Sequence, residues 1–273
     1  EMLRAIGVSG IEDLFATIPE KLRLNRPLNL PPPLPEIELR HALRELSRKN
    51  AHGEEWASFL GGGIYSHYIP SAVGQLLLRG EFLTAYTPYQ PEVSQGTLQS
   101  IFEYQTMASE ILGMEIANAS NYDGSTATAE AVLMALRIKD RNRASGPTVL
   151  VARNLHPEYR EVLKTYLSYQ EVEVIEIPYT PEGTINRDQL KTHLDDSVAC
   201  VVVGTPNFFG VVEDFTAIAG LVHNQGALLI TSSPEPLSLG LFKSPGEMGA
   251  DIAVAEGQGY RNALKFGGPL FGL

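Results

Sequence analysis

The chain has 273 residues, 44% of them hydrophobic and 19% charged, enough for one large domain or one domain with a smaller companion. A net charge of −11 leaves no basic stripe for a phosphate backbone, which excludes a nucleic-acid surface. No apolar run approaches the ~20 residues of a membrane-spanning helix. The single cysteine, Cys200, excludes a disulfide framework or a cysteine metal site within the chain and fits a cytoplasmic protein. The opening residues "EMLRAIGVSG" lack the shape of a signal peptide, and a start on Glu reads as a start inside a longer chain.

The first 58 residues predict helices and an arm. "SGIEDLFATIP" places Ser9 three residues before Glu12, a capping-box spacing, and stops at Pro19. "RLNRPLNLPPPLP" holds too much proline for a helix or a central strand, so residues 23–35 predict an extended arm carrying Leu24, Leu28, Leu30 and Leu34. An arm with that many leucines is expected to lie along its own body or a partner. "EIELRHALRELSRKN" then sets Ile37, Leu39, His41, Leu43 and Leu46 toward one side of a helix.

From residue 59 onward a second region begins. "SQGTLQSIFEYQTMASEILGM" spaces Leu98, Ile101, Phe102, Ala108, Ile111 and Leu112 helically, and "DGSTATAEAVLMALRIKD" predicts a second helix of small residues. The strands "PTVLVAR", "EVEVIEIP", "SVACVVVG", "GALLITS", "ADIAVAE" and a final "GPLFGL" alternate with the helices "HPEYREVLKTYLSY", "NRDQLKTHL" and "VEDFTAIAGLVHNQ". Apolar, β-branched strands joined by helices predict an α/β domain with a mostly parallel sheet covered on both faces. In such a sheet, ligands sit beyond the carboxyl ends of the strands.

The chemistry-bearing stretches are few. No phosphate-loop lysine pattern, GxGxxG or HExxH occurs, and the six histidines are scattered, so no metal site is predicted. His156 begins a helix and reads as an N-terminal residue of that helix rather than a base. Gly124, Ser125 and Thr126 precede a helix whose free N–H groups favour an anion, so they read either as an anion-binding helix start or as ordinary caps. "FLGGGIYSHYIP" combines three glycines with Tyr65, Ser66, His67 and Tyr68; it is either a close backbone approach to something or a tight turn with packed aromatics. "TAYTPYQPEVSQG" holds Tyr89, Gln90 and Glu92 between and beyond Pro88 and Pro91, where little entropy is lost on presenting them. Glu92 alternatively serves the dipole of the helix starting near Ser94.

"YTPYQPEVSQGTLQSIFEYQTM", "ANASNYDGSTATAEA" and "EGQGYRNALKFGGPLFG" together resemble the glycine cleavage system P-protein family, in particular its alpha-subunit or N-terminal-half type. The resemblance covers nearly the whole chain. It implies the aspartate-aminotransferase-like fold (fold type I) of pyridoxal-phosphate enzymes, with helices and an arm over residues 1–58 and the large domain over residues 59–273. A small C-terminal α+β domain would follow after Leu273. The family decarboxylates glycine and passes the aminomethyl group to the lipoyl arm of the H-protein. Pyridoxal phosphate requires a lysine and normally an acid for its ring nitrogen. Here the strand that should supply the acid ends in Thr231, Ser232 and Ser233, and Gln258 stands where the lysine belongs.

The resemblance therefore implies a subunit that binds no cofactor of its own. A beta subunit would carry the pyridoxal phosphate, an alpha2-beta2 assembly would form, and Tyr65, Ser66, Thr84, Tyr89, Gln90 and Glu92 would face the beta subunit's pocket. Two alternatives stand beside it: a self-sufficient enzyme using Lys265, and a purely structural partner subunit.

Overall fold

The computed structural model describes every residue except Glu54, 84–86, 140–145, Arg261, 265–267 and Pro269. Thr84 and Lys265 thus lie outside the described residues. The chain divides into two compact units, Glu1–Ala57 and Ser58–Leu273.

The first unit contains α1 (Met2–Ile6), two 3-10 turns (Ile11–Phe15 and Glu20–Leu22) and α2 (Glu36–Ser47), and none of these elements buries a residue. Residues 23–35 form neither helix nor strand, as the prolines require, and Leu24, Leu28, Leu30 and Leu34 are exposed. The predicted Ser9–Glu12 capping box does not form. Asp13 does the capping instead, its Oδ2 accepting from the N–H groups of Ser9 and Gly10 at 2.9 Å and from the Ser9 hydroxyl at 2.7 Å. The tighter 3-10 turn moves the reach of the cap by one residue.

The second unit opens with extended chain and then α3 (Ser71–Leu77), α4 (Gly80–Leu83), α5 (Gln95–Leu112) and α6 (Gly124–Lys139). Five parallel strands follow: β1 (Thr148–Ala152), β2 (Glu173–Ile177), β3 (Val198–Gly204), β4 (Leu228–Ser233) and β5 (Ile252–Ala255). Between them run α7 (Pro157–Leu167), α8 (Arg187–His193) and α9 (Phe215–Asn224). The strand order is β2-β1-β3-β4-β5, with all four pairings parallel.

The period of two along each strand sorts side chains between two cores. Val149, Val151, Cys200 and Val202 pack with Val132, Ala135 and Leu163 of α6 and α7. Leu150, Ala152, Val201 and Val203 pack with Leu190, Phe215 and Ile218 of α8 and α9. The predicted final strand at "GPLFGL" is a correction: among the described residues it is reduced to antiparallel bridges from Gly272 to Asn121 and to Glu256. Two glycines in six residues and a proline leave little to sustain a ladder there.

The neighbouring strands β1 and β3 send their chains to opposite sides of the sheet. The loops that follow them, 153–156 and 205–207, therefore bound the crevice at which sheets of this type receive ligands.

The contrast between the units gives a stability prediction. Phe215 is fully buried, so Phe215→Ala should cost about 3–5 kcal/mol in urea unfolding. Leu43 is exposed, so Leu43→Ala should stay within about 0.5 kcal/mol in the same measurement.

Candidate functional site at the carboxyl edge of the sheet

Three groups of polar residues stand where the strands end, and each makes hydrogen bonds inside the chain. The first fills the crevice between β1 and β3. Glu213 is buried, and its Oε1 accepts from Asn154 Nδ2 at 2.6 Å, from Asn207 Nδ2 at 3.1 Å and from the Ile185 N–H at 3.0 Å. Both asparagine amides also donate to the Gly183 carbonyl at 2.8 Å. A buried carboxylate and two amides bonded to it thus stand in the crevice, with Asn154 Oδ1 left without a partner among the described residues.

The second group closes the start of α6. Asp123 Oδ1 accepts from the Thr126 N–H at 2.8 Å and from the Ser125 hydroxyl at 2.6 Å. Glu256, directly after β5, accepts from the Gly124 N–H at 2.8 Å and from the Gln258 N–H at 2.9 Å. Of the two readings left open for Gly124, Ser125 and Thr126, the structure shows capping, with two carboxylates of the chain itself at the positive end of the helix dipole. Gly124 is required there, because a Cβ would collide with the Tyr159 hydroxyl. Burial holds the Glu256 carboxyl above the usual carboxylate range, against the pull of the two N–H groups and with a further push from Asp123. Burial also raises the Tyr159 hydroxyl, followed by the effects of Glu256, Asp123 and Tyr65.

The third group binds the extended segment that carries "GGGIYSH". Gly61, Gly62 and Gly63 have φ of 62°, 79° and 89°, a succession that only glycine sustains without strain. A Cβ at Gly63 would lie 3.0 Å from His156. His156 Nδ1 accepts from the Glu158 N–H, so its Nε2 carries the proton, which it donates to the Gly62 carbonyl at 2.6 Å. The predicted helix-start role of His156 is present, joined by this second bond. The imidazole also packs between Tyr159, tilted against it at 5.0 Å between centroids, and Phe208, which meets it edge-on at 5.2 Å. His67 Nε2 meets Glu235 Oε2 at 3.1 Å. Gln258 Oε1 accepts from the Tyr65 N–H at 3.2 Å, while its Nε2 donates to the carbonyls of Tyr65 at 3.0 Å and Asn262 at 2.9 Å.

The predicted lip residues divide accordingly. Tyr65 is half-buried against the sheet edge, whereas Ser66, Tyr89, Gln90 and Glu92 are exposed. Turns closed by Val93 N–H to Gln90 O and Ser94 N–H to Pro91 O hold residues 90–94 ahead of α5. Composition and motif reading missed Glu213, Glu256 and Asp123. The last two left faint signals: Asp123 stands three residues ahead of Thr126, an Asx-cap spacing, and Glu256 ends an apolar strand.

These residues can be tested against pyridoxal phosphate. Gln258 has no amine to form a Schiff base, and its amide is fully engaged. The end of β4 supplies Ser232 and Ser233, not an acid. The helix start that would take a phosphate already holds two carboxylates. Lys243 is exposed and lines, with Thr205, Glu213 and Asp214, a cavity of about 240 Å³ away from the end of β5. The residues described here do not fit the cofactor. No cluster of three or more potential metal ligands occurs among the described residues.

The sheet and its helices define an α/β protein of the pyridoxal-phosphate fold-type I class. A sphingosine-1-phosphate lyase from Burkholderia pseudomallei shares this fold at a TM-score of 0.64 and 15% identity, over 89% of this chain and 60% of that one. The chain belongs to the glycine cleavage system P-protein family, whose pattern it matches over residues 1–273. It is 50% identical over its whole length to "Probable glycine dehydrogenase (decarboxylating) subunit 1" of Carboxydothermus hydrogenoformans, and spans 60% of that relative. A crystal structure of glycine decarboxylase (P-protein) of the glycine cleavage system, in inhibitor-bound form, superposes with a TM-score of 0.86. Identity there is 47%, over 99% of this chain and 59% of that one.

The raised Glu256 carboxyl makes stability depend on pH. Its folded pKa lies above the unfolded value, so the folded state binds the extra proton and this group's destabilisation is relieved as pH falls through the folded pKa. Glu256→Gln removes that dependence. As pH falls from neutral toward the ordinary glutamate pKa of about 4.3, the wild-type melting temperature should rise relative to that of the variant.

Proposed function

We propose that the chain is the alpha-type subunit of a two-subunit glycine dehydrogenase (decarboxylating), completing an active site whose pyridoxal phosphate and lysine belong to a beta subunit. The observation that carries this reading is the amide of Gln258 at the end of β5, with its bonds spent inside the chain. A subunit closed over its own would-be pocket contributes by its surface. Membership of the P-protein family and the subunit naming of its relatives support the assignment. In the assembled enzyme the partner's cofactor supplies the decarboxylation chemistry. The aminomethyl group passes to a lipoylated H-protein, and the assembly is alpha2-beta2.

Within that enzyme, Tyr89, Gln90, Glu92 and Ser66 are the groups this chain offers to the partner's pocket. Tyr89 is 80% exposed on a loop bracketed by Pro88 and Pro91, so its hydroxyl is placed before any partner arrives. Large apolar side chains on the same unit, Phe59, Leu60, Ile64 and Tyr68, are also exposed, a pattern that favours burial against another chain. The first unit, with its exposed leucines and no buried side chain in its helices, is read as a second such surface.

Three measurements test this. Pyridoxal phosphate incubated with the chain alone and reduced with borohydride should give no pyridoxyl-lysine on peptide mapping; a tag on Lys265 or Lys243 would restore the self-sufficient alternative. Tyr89→Phe combined with Gln90→Ala should slow glycine-carboxyl exchange with carbon dioxide about tenfold or more in the assembled enzyme, as expected for two lost hydrogen bonds. An unchanged rate favours a purely structural subunit. Deleting residues 1–35 should weaken assembly on size exclusion, and intact assembly would count against the arm as an interface.

A further inference from the structure

The extended segment after the three glycines is held from three directions. His156, just beyond β1, bonds the Gly62 carbonyl; Gln258, beyond β5, bonds both the N–H and the C=O of Tyr65; Glu235, beyond β4, meets His67. All three anchors stand where this fold would meet a ligand. Exposure alternates along the segment: Tyr65 and His67 are turned inward, while Ser66 is exposed and Tyr68 is 82% exposed. An extended chain turns successive side chains to opposite sides, so fixing Tyr65 also fixes where Ser66 and Tyr68 project.

Among the three anchors, Gln258 is the one that sets register. Its side chain is 2% exposed and uses both ends of the amide on a single residue, accepting from the Tyr65 N–H and donating to the Tyr65 carbonyl. That two-point pairing is what a neighbouring strand would supply, and a one-residue slip would break both bonds and exchange the inward and outward faces. The remaining donor goes to Asn262, which ties the same amide to the turn that follows β5.

We propose that Gln258 is a positioning residue: standing where a fold-type I enzyme carries its cofactor lysine, it staples the Gly62–His67 segment to the sheet edge and so sets the projection of Ser66 and Tyr68 toward the partner's active site. The second half of this inference rests on the surface reading given under Proposed function, while the staple itself does not. A lysine in this place could donate to the Tyr65 carbonyl but could not accept from its N–H, so an amide serves where an amine would not.

The test uses Gln258→Met, which keeps the side-chain volume and removes all three bonds. In the full chain, amide exchange at Tyr65 should quicken about tenfold or more, as the loss of a buried bonded donor requires, while amides of β3 keep their protection. In the complex with the partner subunit, KM for glycine should rise about threefold to tenfold with a smaller change in kcat, a split that general destabilisation would not give. If β3 protection is lost as well, Gly63→Ala takes over. It pushes the segment off His156 without touching Gln258 and should give the same KM signature. A Tyr65 amide as protected in Gln258→Met as in the wild type would overturn the staple. Faster exchange with unchanged kinetics would overturn the positioning role. It would leave the subunit assignment to be decided by the Tyr89 and Gln90 variants.

Discussion

Burying polar groups is costly unless they are hydrogen-bonded, and at the carboxyl edge of this sheet the chain supplies many of those bonds itself. Among the described residues, Asn154 Oδ1, Thr231 Oγ1 and Ser233 Oγ stay without a protein partner. A parallel sheet with a helix start aimed at its edge presents N–H groups and strand ends to whatever lies above, and leaving them unpaired would cost several kcal/mol. In a ligand-binding member of the fold, the ligand can meet that demand. Here Glu213 satisfies the crevice between β1 and β3, Asp123 and Glu256 satisfy the start of α6, and Gln258 satisfies the backbone of Tyr65. Much of the polar edge is thus bonded internally.

The absence of an amine at residue 258 goes together with a filled helix start. With an amine removed and nothing else altered, the helix start would still attract an anion. Two carboxyl groups now stand there and accept the N–H groups of Gly124 and Thr126 that an anion would need. The glycine run completes the closure. Three consecutive positive φ angles carry the chain close over His156, where even a Cβ at Gly63 would be too near. The exposed side of the segment around Ser66 and Tyr68 and the loop around Tyr89 are open to another molecule.

Much of this was legible in the sequence because it rests on local chemistry. The five apolar strands and their helices are written as periodicities, and Gln258, where the resemblance expects a lysine, has no amine. The capping at α6 is half legible: Ser125 and Thr126 read as caps or anion ligands, but the acceptor is Asp123, two positions before Ser125, helped by Glu256, 132 residues from Gly124. Sequence spacing reports the near partner and is silent about the far one. The Ser9–Glu12 capping box failed for a similar reason, since a 3-10 turn changes which acid the same spacing brings into reach. The final strand at "GPLFGL" shrinks to its last three residues, Phe271–Leu273, which exchange backbone bonds with residues 255–257 and Asn121, too short a run for a ladder.

Composition, strand periodicity and the absence of an amine at residue 258 were determined by the sequence alone, because each depends on residue type and short-range order. Which acids face the helix start, which carbonyl receives the His156 proton, and that the Gln258 amide closes on Tyr65 were decided by the tertiary structure. Those bonds join residues 94 to 193 positions apart, or 132 in the case of Glu256 and Gly124. Only the folding of five strands into one sheet brings their ends to a common edge, where long-range partners become neighbours.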